Sequence, residues 1–423
     1  MTGDVLVAGG IFVAAYALIA SERVDRTLVA LLAGLLVVAL GVIDQEEAFA
    51  AIDFNVIFLL AGMMILAGGL SQTGFFEFVA GVAIHQSRGE PFRLLVVLSV
   101  LTAALSALLD NVTTVVLLTP VTLSIARTLR VSPFPYLMSQ VLASNIGGSA
   151  TLIGDPPNIL IGSAAGLDFG MFLFNLGPVV VVIFAAFLVI MRVAFRGSME
   201  DDANRLDILA EVDPASAIKD RTLMLRALVV LALTIVGFLT HSALGLEAAT
   251  VALLGATVLM IVGRLDPHEA LRDIEWNTLF FFVGLFMLVE AVVHVGIVGG
   301  ITEALADATG GRSDLATVGV LWFSAGASAV VDNIPYTATA IPVVEGLIAS
   351  GLQPESLWWA LALGACLGGN LTIVGASANI VVANLAARDG HPITFMQFFR
   401  YGSVVVLVSM LISTAYVWLR YLA

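Results

Sequence analysis

The sequence predicts an all-α polytopic membrane protein: two inverted repeats of five spans, each with a re-entrant hairpin and a broken helix, making ten spans plus two hairpins. Three observations predict it. Apolar runs of spanning length recur along the whole chain, the sequence matches itself at an offset of 222 residues, and Lys and Arg fall almost entirely on one side.

Of the 423 residues, 60% are hydrophobic and 12% charged, and the mean hydropathy is +1.04. A soluble domain carries about a quarter charged residues. A spanning helix needs roughly 17–25 residues, and no single buried core would need so many such runs. The opening Met1-Thr2-Gly3-Asp4 lacks a positive region and a cleavage site, so a first span is expected and no removable signal. A net charge of −14 argues against nucleic acid or anionic lipid headgroups as partners. The single cysteine, Cys366, excludes an internal disulfide and a multi-thiolate metal site. No cofactor is expected, and the chain lacks the Gly-x-x-x-x-Gly-Lys-Ser/Thr run that ATP hydrolysis would need.

The repeat holds its register over more than 100 residues. From Val29 to Asp53, nine of 25 positions are identical to those 222 further on. Asp110-Asn111 returns as Asp332-Asn333, and Pro120 as Pro342. At offset 221, Gly147-Gly148, Thr151, Gly154 and Asn158 return as Gly368-Gly369, Thr372, Gly375 and Asn379. Repeats of this size are typical of secondary-transporter folds. They divide the chain into a first repeat (1–195), a linker on the cytoplasmic surface (196–222) and a second repeat (223–423).

Each repeat reads in the same order. Span a is Val5–Ala20 and Leu223–Thr240. Span b is Thr27–Ile43 and Ala249–Val262. Span c is Phe54–Leu70 and Thr278–Val293. An interfacial stretch follows at Phe75–Ile84 and Ile297–Ala306. Two arms then flank each Asp-Asn pair: Leu94–Leu109 with Val112–Ala126, and Leu315–Val331 with Ile334–Ile348. A broken segment starts at Tyr136 and Trp358. Span e is Met171–Phe195 and Phe395–Tyr416. If the arms form re-entrant hairpins, one face collects 16 of the 18 Lys and Arg, and only Arg312 and Arg420 lie opposite. The positive-inside rule makes the rich face cytoplasmic, with both termini outside a multi-pass inner membrane protein.

Polar residues concentrate at two places in each repeat. Hairpin turns leave backbone groups without helical partners, and such backbone persists at membrane depth only when buried or lining a wet cavity. Asn111 and Thr113 with Asp110, and Asn333 and Thr337 with Asp332, fit those tips. The Asp residues are also natural helix caps. The broken segments run Asn145-Ile146-Gly147-Gly148-Ser149-Ala150-Thr151-Leu152-Ile153-Gly154-Asp155-Pro156-Pro157-Asn158 and, in the second repeat, Gly368-Gly369-Asn370-Leu371-Thr372 to Asn379. Glycines, prolines, hydroxyls and amides together mark a discontinuous helix whose freed carbonyls and N–H groups can hold a solute. Candidate solute contacts are therefore Asn111, Thr113, Asn145, Ser149, Thr151, Asn158, Asn333, Thr337, Asn370, Thr372 and Asn379. Candidate proton- or ion-coupling groups are Asp110, Asp155 and Asp332. Asp155 has no acidic counterpart in the second repeat, which suits a task performed once per protein, although an Asp before Pro-Pro also reads as a plain N-cap. Cys366 stands at the repeat position of Asn145 and reads as a small buried hydrophobe.

At these residues the chain resembles the ion transporter superfamily of arsenical pump membrane proteins, NhaD-type sodium/proton antiporters, pink-eyed dilution (P) permeases and divalent-anion symporters. The runs 110–114 and 145–158 are similar to the P permease branch in particular. The resemblance covers essentially the whole chain. It implies a scaffold of spans a, b and e, and a mobile part of span c, hairpin and broken helix that moves as an elevator. It also implies efflux of arsenite or antimonite against protons. Many arsenical pumps lack the Gly-Asp-Pro-Pro-Asn found at 154–158. Arsenous acid is a small neutral triol, suited to amides and hydroxyls, and arginine is absent from every motif, which disfavours a phosphate or dicarboxylate clamp. Sodium/proton antiport or organic-anion transport are the alternatives. A soluble ATPase docked on the cytoplasmic face and a homodimer are the macromolecular partners this reading leaves open.

Overall fold

A computed structural model describes residues 2–21, 23–88, 90–197 and 213–423. Of the expected linker, 198–212 lie outside the described residues. The described residues hold twenty α-helices and no strand. In the first repeat these are α1 (Thr2–Ser21), α2 (Arg26–Ala39), α3 (Gln45–Ala50), α4 (Phe54–Ser71), α5 (Phe75–Ser87), α6 (Pro91–Leu108), α7 (Asn111–Thr128), α8 (Phe134–Gly148), α9 (Pro156–Ala165) and α10 (Phe169–Ala194). Ten more follow in the same order: α11 (Arg221–Thr240), α12 (Ala248–Gly263), α13 (Pro267–Arg272), α14 (Trp276–His294), α15 (Ile297–Thr309), α16 (Ser313–Ser328), α17 (Asn333–Ala349), α18 (Pro354–Gly368), α19 (Ser377–Arg388) and α20 (Phe395–Val417).

Aspartate starts many of these helices. The carboxylates of Asp25, Asp44, Asp53, Asp110, Asp168, Asp220, Asp266 and Asp332 each accept a backbone N–H from the first turn of the helix they precede. An anion there satisfies orphan donors and meets the positive end of the helix dipole. Much of the acidic surplus is thus spent on chain punctuation.

Among the described residues, seven helical segments are long and apolar enough to cross a membrane. Six coincide with spans a, c and e of the two repeats, and the seventh is α6, an expected hairpin arm. Length and composition alone do not separate an 18-residue arm from a span. Span b has 14 residues in α2, three fewer than expected for Thr27–Ile43, and 16 in α12, two more than expected for Ala249–Val262. In the first repeat it stops early because Gly41, at φ 72°, turns the chain out of the helix.

The helices pair across the repeats in reciprocal fashion. α2 lies along α14, and α12 along α4. Within each repeat the first hairpin arm packs on the first half of the broken helix, α6 on α8 and α16 on α18, while α7 meets α19 and α17 meets α9. The span pairs sit close because each contact has a residue without a Cβ. A Cβ on Gly284 would fall 2.4 Å from the Ala30 carbonyl carbon, and one on Gly62 would fall 2.7 Å from that of Ala252. Gly284 and Ala252 are the repeat equivalents of Gly62 and Ala30.

Hydrogen bonds fix the direction of these helices. At the start of α4, Asn55 accepts from Ala249 N–H and donates to Glu247, beside the start of α12. At the end of α4, Gln72 donates to Asp273, just before α14. At the far end of α14, His294 lies 2.6 Å from Glu47 in α3. The equivalent helices α4 and α14 therefore run in opposite directions.

The packing groups the spans differently from the division implied by resemblance. Spans a, b and c pack together, with α1 on α2 and α14, and α11 on α12 and α4. Span e joins the other body: α10 and α20 pack on each other, α10 on α8 and α20 on α18. The glycine contacts that draw α4 and α14 against span b explain the difference.

Candidate functional site

The hairpin tips and broken helices of both repeats converge on one buried amide cluster. In each broken segment the chain leaves the helix at a glycine pair and doubles back. Gly148 and Gly154 approach so closely that a Cβ on either would fall within 2.5 Å of the other's backbone oxygen. Asn158, the third residue of α9, donates to Thr151 O at 2.9 Å and Ser149 O at 3.3 Å. Asn379 does the same in the second repeat, to Thr372 O at 2.8 Å and Gly369 O at 2.7 Å. The hydroxyls brace the loops: Thr151 donates to Ala107 O and Thr372 to Ala329 O, both 2.6 Å, tying each loop to the end of a hairpin arm. Ser149 donates to Ile146 O, and Thr337 to Asn333 O. Thr113 supplies its backbone N–H to the Asp110 carboxylate and stands half-buried.

Asn145 is the hub. Its Oδ1 accepts from Asn111 Nδ2 at 3.0 Å, and its Nδ2 donates to Asn370 Oδ1 and Asn379 Oδ1, each 2.9 Å away. One side chain thus joins the first hairpin tip to the second broken helix. Cys366, at the equivalent position, does the corresponding job: its thiol donates to Asn158 Oδ1 at 3.4 Å. It is buried, as expected of a lone cysteine, but its sulfur is engaged in the polar cluster. Asn111 keeps one buried oxygen, Oδ1, without a protein partner, as does Thr114 one turn on.

Asn111 and Asn333 turn to different partners. Asn333 Nδ2 donates to both oxygens of Asp155, at 3.1 and 3.3 Å. The reading of Asp155 as an N-cap does not hold. Pro156 and Pro157 have no N–H to offer, the carboxylate makes no cap bond, and Asn158 N–H goes to the backbone oxygen of Asp155. The carboxylate is fully buried and reaches the opposite repeat instead. Asp110 does cap its helix.

Asp332 caps too, and it also forms an ion pair the sequence reading missed. Arg26 Nη1 lies 2.9 Å from Asp332 Oδ2, and Ser377 Oγ bonds both groups. By sequence Arg26 counts among the 16 cytoplasmic Lys and Arg, and this pair overturns the expectation that no arginine joins a motif. Its position one residue inside α2 put it near the belt by sequence, while the fold carries the start of α2 to the second hairpin tip. One signal was present: the repeat equivalent of Arg26 is Ala248. A cavity of about 310 Å³ opens here, lined by Arg26, Glu275, Asp332, Val112 and Ser377 among others.

Residues 16–364 match the family described as "Citrate transporter" (CitMHS). The chain belongs to the CitMHS transporter family. An uncharacterized transporter of Mycobacterium tuberculosis is 46% identical over 423 residues, covering 98% of each protein. The P protein of Homo sapiens is 35% identical, covering 98% of this chain and 59% of its own length. The Alcanivorax borkumensis YdaH transporter shares the fold, with a TM-score of 0.60, 14% identity, and coverage of 93% of this chain and 96% of that one. The protein is therefore a multi-pass membrane transporter with the all-helical fold that its apolar pattern predicts.

Removing either tip amide tests the cluster. Asn333→Ala strips Asp155 of its amide donor, and Asn111→Ala frees the Asn145 oxygen. An unsatisfied buried group costs about 1–3 kcal/mol. Each variant should express at normal levels and transport more slowly by roughly tenfold, with Asn333→Ala the worse of the two. Initial rates in vesicles, normalised to protein in the membrane, check this.

Proposed function

We propose that the protein is a proton-coupled secondary transporter exporting arsenite or antimonite across the cytoplasmic membrane. One observation carries the reading: Asp155 is a buried carboxylate held by an amide, with no cation paired to it among the described residues. An ionisable group in such a place is costly and is usually kept for function. The surrounding cluster of Asn111, Asn145, Asn158, Asn333, Asn370 and Asn379 offers neutral donors and acceptors, which suit a small uncharged triol. Proteoliposomes with an imposed pH gradient, offered arsenite, antimonite, sodium or citrate, test the solute. The expected result is accumulation of the two metalloids on the acidic side. Movement of citrate alone would replace this reading with organic-anion transport, which the family description and the nearness of Arg26 favour.

The two repeats, 1–195 and 223–423, are inverted halves in this proposal, with re-entrant hairpins at Asp110-Asn111 and Asp332-Asn333. The opposed course of α4 and α14 and the reciprocal helix pairs support it. The distribution of Lys and Arg, 15 to 2 once Arg26 is set aside, supports cytoplasmic loops with both termini outside. A C-terminal alkaline phosphatase fusion is expected to be active and a cytoplasm-dependent fluorescent fusion dark; the reverse pattern would refute the ten-span topology.

A further inference from the structure

The two hairpins are not held alike. The packing separates the protein into two bodies: spans a, b and c on one side, hairpins, broken helices and span e on the other. Among the described residues, Arg26 and Tyr16 of the first body carry polar ties to the second. Arg26, at the start of α2, pairs with Asp332 at the tip of the second hairpin and bonds Ser377 at the start of α19. Its guanidinium also lies over the Phe281 ring of α14, 5.2 Å from the centroid, so it is seated against its own body while it reaches across. Tyr16 of α1 donates to Pro335 O in the first turn of α17 at 2.7 Å and bonds Thr339 one turn further.

Neither tie has a counterpart at the first hairpin. At the repeat offset of 222, Arg26 becomes Ala248 and Tyr16 becomes Phe238, while Pro335 and Thr339 correspond to Thr113 and Leu117. Asp110, the equivalent of Asp332, has no cation paired with it among the described residues; its carboxylate accepts from Thr113 N–H. Instead, the start of α12 meets Asn55 of its own body. The Arg26–Asp332 pair is also partly shielded, with side-chain exposures of 29% and 7%, so salt screens it less than a surface pair.

We propose that Arg26 and Tyr16 form a one-sided latch that clamps the second hairpin to the α1–α2 scaffold, leaving the first hairpin as the freer gate. Both are positioning residues. The latch spans the cavity between α2 and α19 in this conformation and must break when the two bodies shift. This rests on the reading of the protein as a transporter with two moving bodies, but not on the identity of the solute.

The test needs no solute. Ile380 lines the latched cavity, and Ser163 lines a second cavity, of about 330 Å³, beside Asn55 and Glu247. Ile380→Cys or Ser163→Cys is introduced into the full-length protein in membrane vesicles, and labelling by a polar maleimide is timed. The native Cys366 is buried and serves as the background rate. Arg26→Gln should speed labelling at position 380 by about tenfold, within the range usual for coupling between conformations, and slow it at 163. Tyr16→Phe, which removes only a hydroxyl, should give a smaller change in the same directions. The charge swap of Arg26→Asp with Asp332→Arg should restore slow labelling at 380. Unchanged labelling in Arg26→Gln and Tyr16→Phe overturns the latch, as does a swap that labels as fast as the single variant. If Arg26→Gln fails to fold, Tyr16→Phe decides the question: faster labelling at 380 supports the latch and an unchanged rate overturns it. A metalloid that is not transported would sink the proposed function and leave this result standing.

Discussion

Asp155→Asn should leave solute exchange across the membrane intact and abolish uphill accumulation. The asparagine keeps the size of the side chain and an oxygen for Asn333 Nδ2, whose two bonds now hold the carboxylate. It removes the only property the amide cluster lacks, the ability to take and give up a proton. Counterflow of labelled solute between equal pools requires no coupling and should persist. Transport driven by a pH gradient should vanish, and the rate should lose its dependence on pH. Asp110→Asn is the control, because Asp110 caps α7 through Thr113 N–H and its loss should cost stability before coupling. Full proton-driven accumulation in Asp155→Asn would move the coupling group elsewhere and reduce Asp155 to a structural acceptor.

Gly284→Leu should all but remove the folded protein from the membrane. A Cβ at 284 would sit 2.4 Å from the Ala30 carbonyl carbon and from Leu31 N, which are backbone atoms of α2 and cannot rotate away. The pair α2–α14 would have to separate along its length. Overpacking of a well-filled contact costs about 1–3 kcal/mol, occasionally more, and here two whole helices must move, so a loss of about 3 kcal/mol is expected. Gly10→Leu is the matched control: a Cβ there meets nothing within 4 Å, and the position is exposed on α1. The thermal aggregation midpoint in detergent should drop sharply for the first and stay near wild type for the second. Equal midpoints would mean that the close helix contact adds nothing to stability.

Much of this architecture was legible in the sequence because the repeat is written in residues that cannot drift freely. Asp110-Asn111 and Asp332-Asn333, the glycine pairs at 147–148 and 368–369, and Asn158 with Asn379 occupy equivalent places in the fold. The apolar runs located spans a, c and e because length is a direct requirement of the bilayer. Which spans pack together was not legible, since Gly62 and Gly284 look like any other glycines in an apolar helix until their partners are known. The Arg26–Asp332 pair joins residues 306 apart, and no local pattern announces such a contact. Asp155 stands out in the sequence as the acid without an acidic counterpart, but its partner Asn333 lies in the other repeat, so the cap reading falls only once both repeats are assembled. The hydroxyls of Thr151 and Thr372 looked like solute contacts by composition; their bonds to Ala107 and Ala329 show them holding the loops.

Asp155 stands opposite Ala376, and this imbalance has an electrical consequence. Two identical halves would bring a pair of acids to the centre, and a neutral solute could leave against two protons. With one acid, the proposed cycle returns a single proton for each neutral molecule released, so one elementary charge moves inward per turnover. Membrane voltage then drives export alongside the pH difference, at about 2.3 kcal/mol per 100 mV, and a cell with no pH gradient at all would still be able to expel its cargo.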